Sequence, residues 1–109
     1  MMIGSKEVLS MNNKIHVPEV DLFLEAVLTL ENKDEAYAFF EDICTVNELL
    51  AISQRYSVAK MLREKKTYSE ISVATGASTA TISRVNRSLT FGNDGYDLTF
   101  DRLESKKLL

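Results

Sequence analysis

TYSEISVATGASTATISRVNRSL, residues Thr67 to Leu89, is the stretch on which the fold depends. It opens with Thr67-Tyr68-Ser69-Glu70, a capping box in which the threonine hydroxyl and the glutamate carboxylate each take up a backbone N–H that a first helical turn leaves orphaned. Ile71, with Val73 or Ala74, supplies a buried side for the short helix that follows. Ser72 is small where a second helix must come close. Gly76 ends the segment, free to adopt the positive φ that a chain reversal needs. Ser78 caps the next helix, along which Ile82, Val85 and Leu89 recur at helical spacing. Two short capped helices with a glycine between them and apolar inner positions specify a helix-turn-helix over residues 67–90.

The other side of the second helix carries Thr79, Ala80, Ser83, Arg84 and Arg87, all small, hydroxylic or basic. Such a face suits the major groove of duplex DNA. Small residues let the helix enter deeply, hydroxyls reach base edges or bridging waters, and arginines fork onto guanine or phosphate. The N-terminus of the helix, at Ser78, offers free backbone N–H groups to a phosphate. An ordinary helical hairpin with a polar outer face is the plain alternative.

Working outward, the same periodic reading yields an all-α chain of about six helices. Pro18 fits a first helical turn, and Val20, Phe23, Leu24, Val27 and Leu28 repeat at three to four residues. Asn32 caps a second helix running from Lys33 to about Cys44, with Asp34 and Glu35 set against its positive end; its apolar stripe is Ala36, Phe39, Phe40 and Ile43. Thr45-Val46-Asn47-Glu48 forms another capping box. It opens a long third helix with Leu49, Ile52, Tyr56, Ala59 and Leu62 on one side. Phe91 to Gly95 is turn chemistry, and a last amphipathic helix follows with Tyr96, Leu98, Phe100 and Leu103. No run alternates at period two for long, so no sheet is expected. Residues 1–17 are polar and aperiodic and are expected to form a flexible arm, leaving 18–109 as a single helical domain.

The chain has 109 residues, 45% hydrophobic and 27% charged, with a formal charge of −3. That balance argues against a generic nucleic-acid glue or a membrane-surface binder. No apolar run is long enough to cross a bilayer, and the first residues lack the apolar region of a signal peptide. One cysteine, Cys44, excludes an internal disulfide, and with a single histidine, His16, it makes no zinc cage and no metal site is expected. The reduced cytoplasm is the expected compartment. The charge is unevenly placed. Residues 55 to 88 hold seven basic side chains (Arg55, Lys60, Arg63, Lys65, Lys66, Arg84, Arg87) against Glu64 and Glu70, a local +5, and the remainder carries −8. A step of this size on a small chain points to a localised anion-binding surface. Several helices are also apolar on more than one side, while a chain of this length buries only about two-thirds of its surface alone. A helical homodimer is therefore expected.

Gly76 to Leu89 strongly resembles the second helix of the Trp repressor family's helix-turn-helix. The wider pattern, from Glu41-Asp42-Ile43-Cys44-Thr45-Val46-Asn47-Glu48-Leu49 through Tyr96-Asp97-Leu98, is similar to its YerC/YecD subgroup. The resemblance extends from about Val20 to Leu103, and its Ala-Thr-Ile-Ser/Thr-Arg core is fairly specific. It implies an intertwined all-α homodimer that binds a palindromic operator through paired reading helices and regulates transcription, with double-stranded DNA as partner. By the same resemblance, Thr79, Ala80 and Ser83 match base-facing positions, Arg84 matches an arginine beside the bound tryptophan, and Thr45 and Ser88 match positions lining that pocket. A second pocket arginine corresponds to Gln54 or Arg55.

Two positions depart from the family pattern. The glycine that makes room for an indole ring is Val85 here, and overpacking of that kind costs on the order of 1–3 kcal/mol. This argues against a tryptophan corepressor and suits Val85 to filling the space between the two helices; no other effector or cofactor is implied. Ser69 and Ser72 stand where the family carries basic phosphate-binding residues. The phosphate grip is then expected from Arg63, Lys65, Lys66, Arg84 and Arg87.

An enzyme is the first rival class. Nucleophilic catalysis needs a Ser, Cys or Thr beside a base, but His16 lies in the expected arm and Cys44 on an apolar stripe. Gly92-Asn93-Asp94-Gly95 is too short and acidic for a phosphate loop. No enzymatic activity is expected. The second rival is a helical dimeric adaptor that recruits a partner through its acidic surface without binding DNA.

Overall fold

A computed structural model describes residues 14–109 as six helices, α1 (Pro18–Leu28), α2 (Lys33–Ile43), α3 (Val46–Arg63), α4 (Tyr68–Thr75), α5 (Thr79–Phe91) and α6 (Gly95–Ser105). There is no strand among the described residues. The expected all-α architecture holds. Residues 1–13 of the expected arm lie outside the described residues; Val17 serves as the N-cap of α1.

The chain divides into two compact units, Met1–Val46 and Asn47–Leu109. In the first, Pro18 occupies the first turn of α1, where its missing N–H costs nothing. Asn32 caps α2 by accepting from the Glu35 amide at 2.9 Å, and the Glu35 carboxylate accepts from the Glu31 amide at 2.9 Å. A cluster of rings joins the two helices. Phe23 stacks on Phe39 with centroids 5.9 Å apart and meets Phe40 edge-on at 6.5 Å. Neither helix buries a single residue fully, and Leu22 and Leu28 are 73% and 79% exposed.

The second unit holds the core. Val58 and Ala59 of α3, Ile71 of α4, Ala77 of the turn, Ile82 and Val85 of α5 and Phe100 of α6 are all buried. Tyr56, Met61, Leu62, Leu89 and Tyr96 pack around them. Phe100 lies 4.7 Å from Tyr56, ring centre to ring centre, and the Tyr56 hydroxyl hydrogen-bonds the Thr99 hydroxyl, which fastens α3 to α6.

Three expectations about burial change. Val73 is 89% exposed and Ala74 is exposed too, so Ile71 alone carries the buried side of α4. At about 100° per residue, Val73 stands roughly 200° around the helix from Ile71. Ser72 is exposed rather than pressed under a neighbouring helix. On α3 the buried pair is Val58 and Ala59, and Ile52 remains largely exposed. The turn expected over Phe91–Gly95 is shorter, since α5 runs through Phe91 and α6 opens at Gly95. Asp94 makes the reversal in the left-handed region (φ 62°).

Candidate nucleic-acid interface

The approach to the helix-turn-helix is fixed by the end of α3. The Lys66 N–H donates to the Met61 carbonyl and the Lys65 N–H to the Leu62 carbonyl, both at 3.0 Å. This is the paired closure of a Schellman motif, with Lys65 in the left-handed position (φ 66°) that glycine would fill without strain. Both lysine side chains are exposed.

α4 then opens on the capping box read from the sequence. The Glu70 amide donates to the Thr67 hydroxyl at 3.1 Å, and the Thr67 amide donates to the Glu70 carboxylate at 2.8 Å. The Thr67 backbone N–H first, and the Thr67 hydroxyl second, hold the Glu70 carboxyl below the usual glutamate range. The turn is closed by Gly76 at φ 74°, whose N–H donates to Ser72 at 2.8 Å. The Thr75 hydroxyl donates to the Ile71 carbonyl at 2.8 Å and accepts from the Ala77 amide at 3.1 Å. Ser78 caps α5, its hydroxyl accepting from the Thr81 amide at 3.1 Å.

α5 has two sides. Ile82 and Val85 are buried and Leu89 is half-buried; Thr79, Ala80, Ser83, Arg84 and Arg87 are exposed. Val85 sits at 2% exposure in the core. Among the described residues neither Arg84 nor Arg87 has an ion-pair partner, nor do Arg55, Lys65 and Lys66. Lys60 is tied to Glu64 at 2.6 Å, and the Lys60 ammonium holds the Glu64 carboxyl below its usual range.

Arg63, expected from the sequence in the phosphate grip, lies against the acidic side of α6. Its guanidinium lies 2.6 Å from Asp101, 3.2 Å from Asp97 and 3.3 Å from Glu104, and its carbon lies 5.4 Å from the centre of the Phe100 ring. The Asp101 hydrogen bond is the main influence raising its already high pKa. This cation binds α3 to α6. The sequence signal was the acidic row Asp97, Asp101, Glu104 at spacings of four and three on one face of the last helix, a row that calls for a counter-charge.

The expected ligand-pocket residues serve several local roles. Gln54 donates its amide to the Thr75 carbonyl at 3.0 Å and lines an open groove of about 470 Å³ with Leu50, Ser57, Met61 and Ala74. Ser88 lines a different hollow of about 450 Å³ beside Tyr56 and Tyr96. Arg55 and Arg84 are exposed, and Val85 is core. Thr45 immediately precedes α3. Among the described residues no group of His, Cys, Asp and Glu could hold a metal ion, and no helix is long and apolar enough to cross a membrane.

Residues 18–104 match the family model described as Trp repressor protein. The chain is 48% identical over 92 residues to the uncharacterized protein YerC of Bacillus subtilis (strain 168), covering 84% of this chain and 88% of that one. Two solved structures share the fold with a TM-score of 0.83 each. A TrpR-like protein from Eubacterium eligens ATCC 27750 is 61% identical, with 85% of this chain and 96% of that one covered. A candidate Trp repressor from Staphylococcus aureus is 51% identical, with 87% and 96% covered.

Proposed function

This chain belongs to the Trp repressor family, and on that premise we propose that it is a sequence-specific DNA-binding regulator of transcription, a homodimer that reads a palindromic operator with paired α5 helices. The observation that carries the reading is the division of α5. Its apolar side is buried, and its hydroxyl-and-guanidinium side is exposed with both arginines unpaired among the described residues.

Thr79, Ala80 and Ser83 face the bases, the first and last by hydroxyl contacts and Ala80 by leaving room. Arg84 and Arg87 fork onto base edges or phosphate. Ser78 spends its hydroxyl on the cap, and its contribution is to present the N-terminal amides of α5 to a phosphate. Lys65 and Lys66 grip the backbone at the start of α4. Arg63 is left out of this set because three carboxylates already hold it. The exposed apolar residues of α1 and α2, Leu22 and Leu28 foremost, support a dimer, since a second copy covering them would remove that surface from water. The regulator works in the cytoplasm on nucleoid DNA. Val85 in the core favours a reading helix set without tryptophan.

Anisotropy titration of the full chain with random duplex at several salt concentrations tests the reading. Affinity should fall steeply as salt rises, because each phosphate contact releases counterions. The double variant Arg84→Ala/Arg87→Ala should bind weakly. Selection from a random pool should recover an inverted repeat with half-site centres about one helical turn apart. Unchanged duplex affinity in the double variant would refute the assignment and favour a dimeric adaptor.

A further inference from the structure

We propose that Gln54 is a positioning residue for the reading helix, its side-chain amide strapping α3 to the turn so that α5 is held at one angle. The inference rests on the DNA-reading assignment but concerns a residue outside the surface that touches the duplex.

The carbonyls at the end of α4 find their partners in three different places. The last carbonyls of a helix have no partner within it. The Ser72 carbonyl is taken by the Gly76 amide at 2.8 Å, and the Ile71 carbonyl also receives the Thr75 hydroxyl at 2.8 Å. The Thr75 carbonyl receives the Gln54 amide at 3.0 Å, across 21 residues of sequence. Thr75 is therefore tied from both sides, its carbonyl by Gln54 of α3 and its hydroxyl by the Ala77 amide of the turn.

The strap lies at the softest point of the motif. Gly76 has the one left-handed backbone between α4 and α5, and the atom nearest to where a Cβ would stand is the Gln54 amide nitrogen at 4.0 Å. Packing of Ile71, Ile82 and Val85 sets how closely the two helices approach, but burial of that kind is non-directional and specifies no particular roll. A hydrogen bond is directional and resists it. The bond is half-buried, so losing its donor leaves the Thr75 carbonyl without full solvation in exchange.

Two substitutions test this in the full-length protein. Gln54→Met keeps the length of the side chain and removes the N–H donor. Gln54→Arg keeps donors and has the open groove beside α4 to extend into. In the free protein, hydrogen exchange at the Gly76 and Ala77 amides should accelerate about tenfold in Gln54→Met and stay near the parent rate in Gln54→Arg, with the Ile82 amide unchanged in both. With duplexes from the random-pool selection, the ratio of selected to random affinity should fall about tenfold in Gln54→Met, while random-duplex affinity holds.

Unchanged exchange at Gly76 and Ala77, equal acceleration at Ile82, or an intact affinity ratio in Gln54→Met would each overturn the positioning role. A parent protein with no duplex affinity would instead overturn the DNA-reading assignment, and the exchange measurement would still decide whether the strap holds the turn.

Discussion

Arg63 at the end of α3 lies 2.6 Å from Asp101 in the middle of α6, and this pair is the centre of a clamp that Asp97 and Glu104 complete from either side. The Phe100 ring lies beside the guanidinium carbon at 5.4 Å. A residue that the sequence offers to DNA thus fastens two helices of one unit, and in the proposed reading the phosphate contacts are left to Lys65 and Lys66 ahead of α4 and to Arg84 and Arg87 on α5.

That division predicts two distinct salt responses. Lys66→Ala should reduce the slope of log affinity against log salt by about one per lost phosphate contact, with little effect on folding. Arg63→Ala should leave the slope near that of the parent and lower the thermal midpoint, by less as salt is raised, because its carboxylate partners are solvent-accessible. Anisotropy titration and thermal unfolding across salt concentrations separate the two.

The glycines should respond differently to alanine. Gly76→Ala has room for its methyl but places a Cβ at φ 74°, a backbone cost of about 1–2 kcal/mol. Gly92→Ala would bring its Cβ against the Ser88 carbonyl oxygen, so α5 must shift at its end and the loss should be larger. Gly95→Ala meets nothing, lies in the first turn of α6, and should stabilise by about 0.5–1 kcal/mol. Chemical denaturation of the three variants gives the order.

Val85 is a core residue, and Val85→Ala should cost about 2 kcal/mol in denaturant unfolding. The same packing predicts no heat of binding when micromolar tryptophan is titrated into the parent protein. A measurable isotherm at that concentration would contradict a closed core at this position.

Acid should loosen α4. The Glu70 carboxyl titrates below its usual range because the Thr67 backbone N–H and hydroxyl favour its charged form. A depressed folded pKa gives stability that is present above the unfolded value, near 4.5, and lost as pH falls through the lower folded value. Glu70→Gln retains an acceptor for the capping box and removes this titration. Thermal midpoints of parent and variant should therefore differ most above pH 5 and converge in acid.

Much of the molecule was legible in the sequence, and the reason is locality. The caps at Asn32, Thr67 and Ser78, the left-handed Gly76 and the start of α1 at Pro18 depend on partners within four residues, so spacing alone specifies them. The two sides of α5 follow from helical period, which places Ile82 and Val85 together whatever they pack against. Tertiary structure decided the rest. Val73 had the composition of a core residue and stands in water because α4 has only one neighbour-facing side, filled by Ile71. Gln54 reaches a carbonyl 21 residues away, and Arg63 finds carboxylates 34 to 41 residues away. Such partners are chosen by how helices dock, which periodicity constrains to a face but never to an angle or a register, and so only the packed chain assigned those two side chains their work.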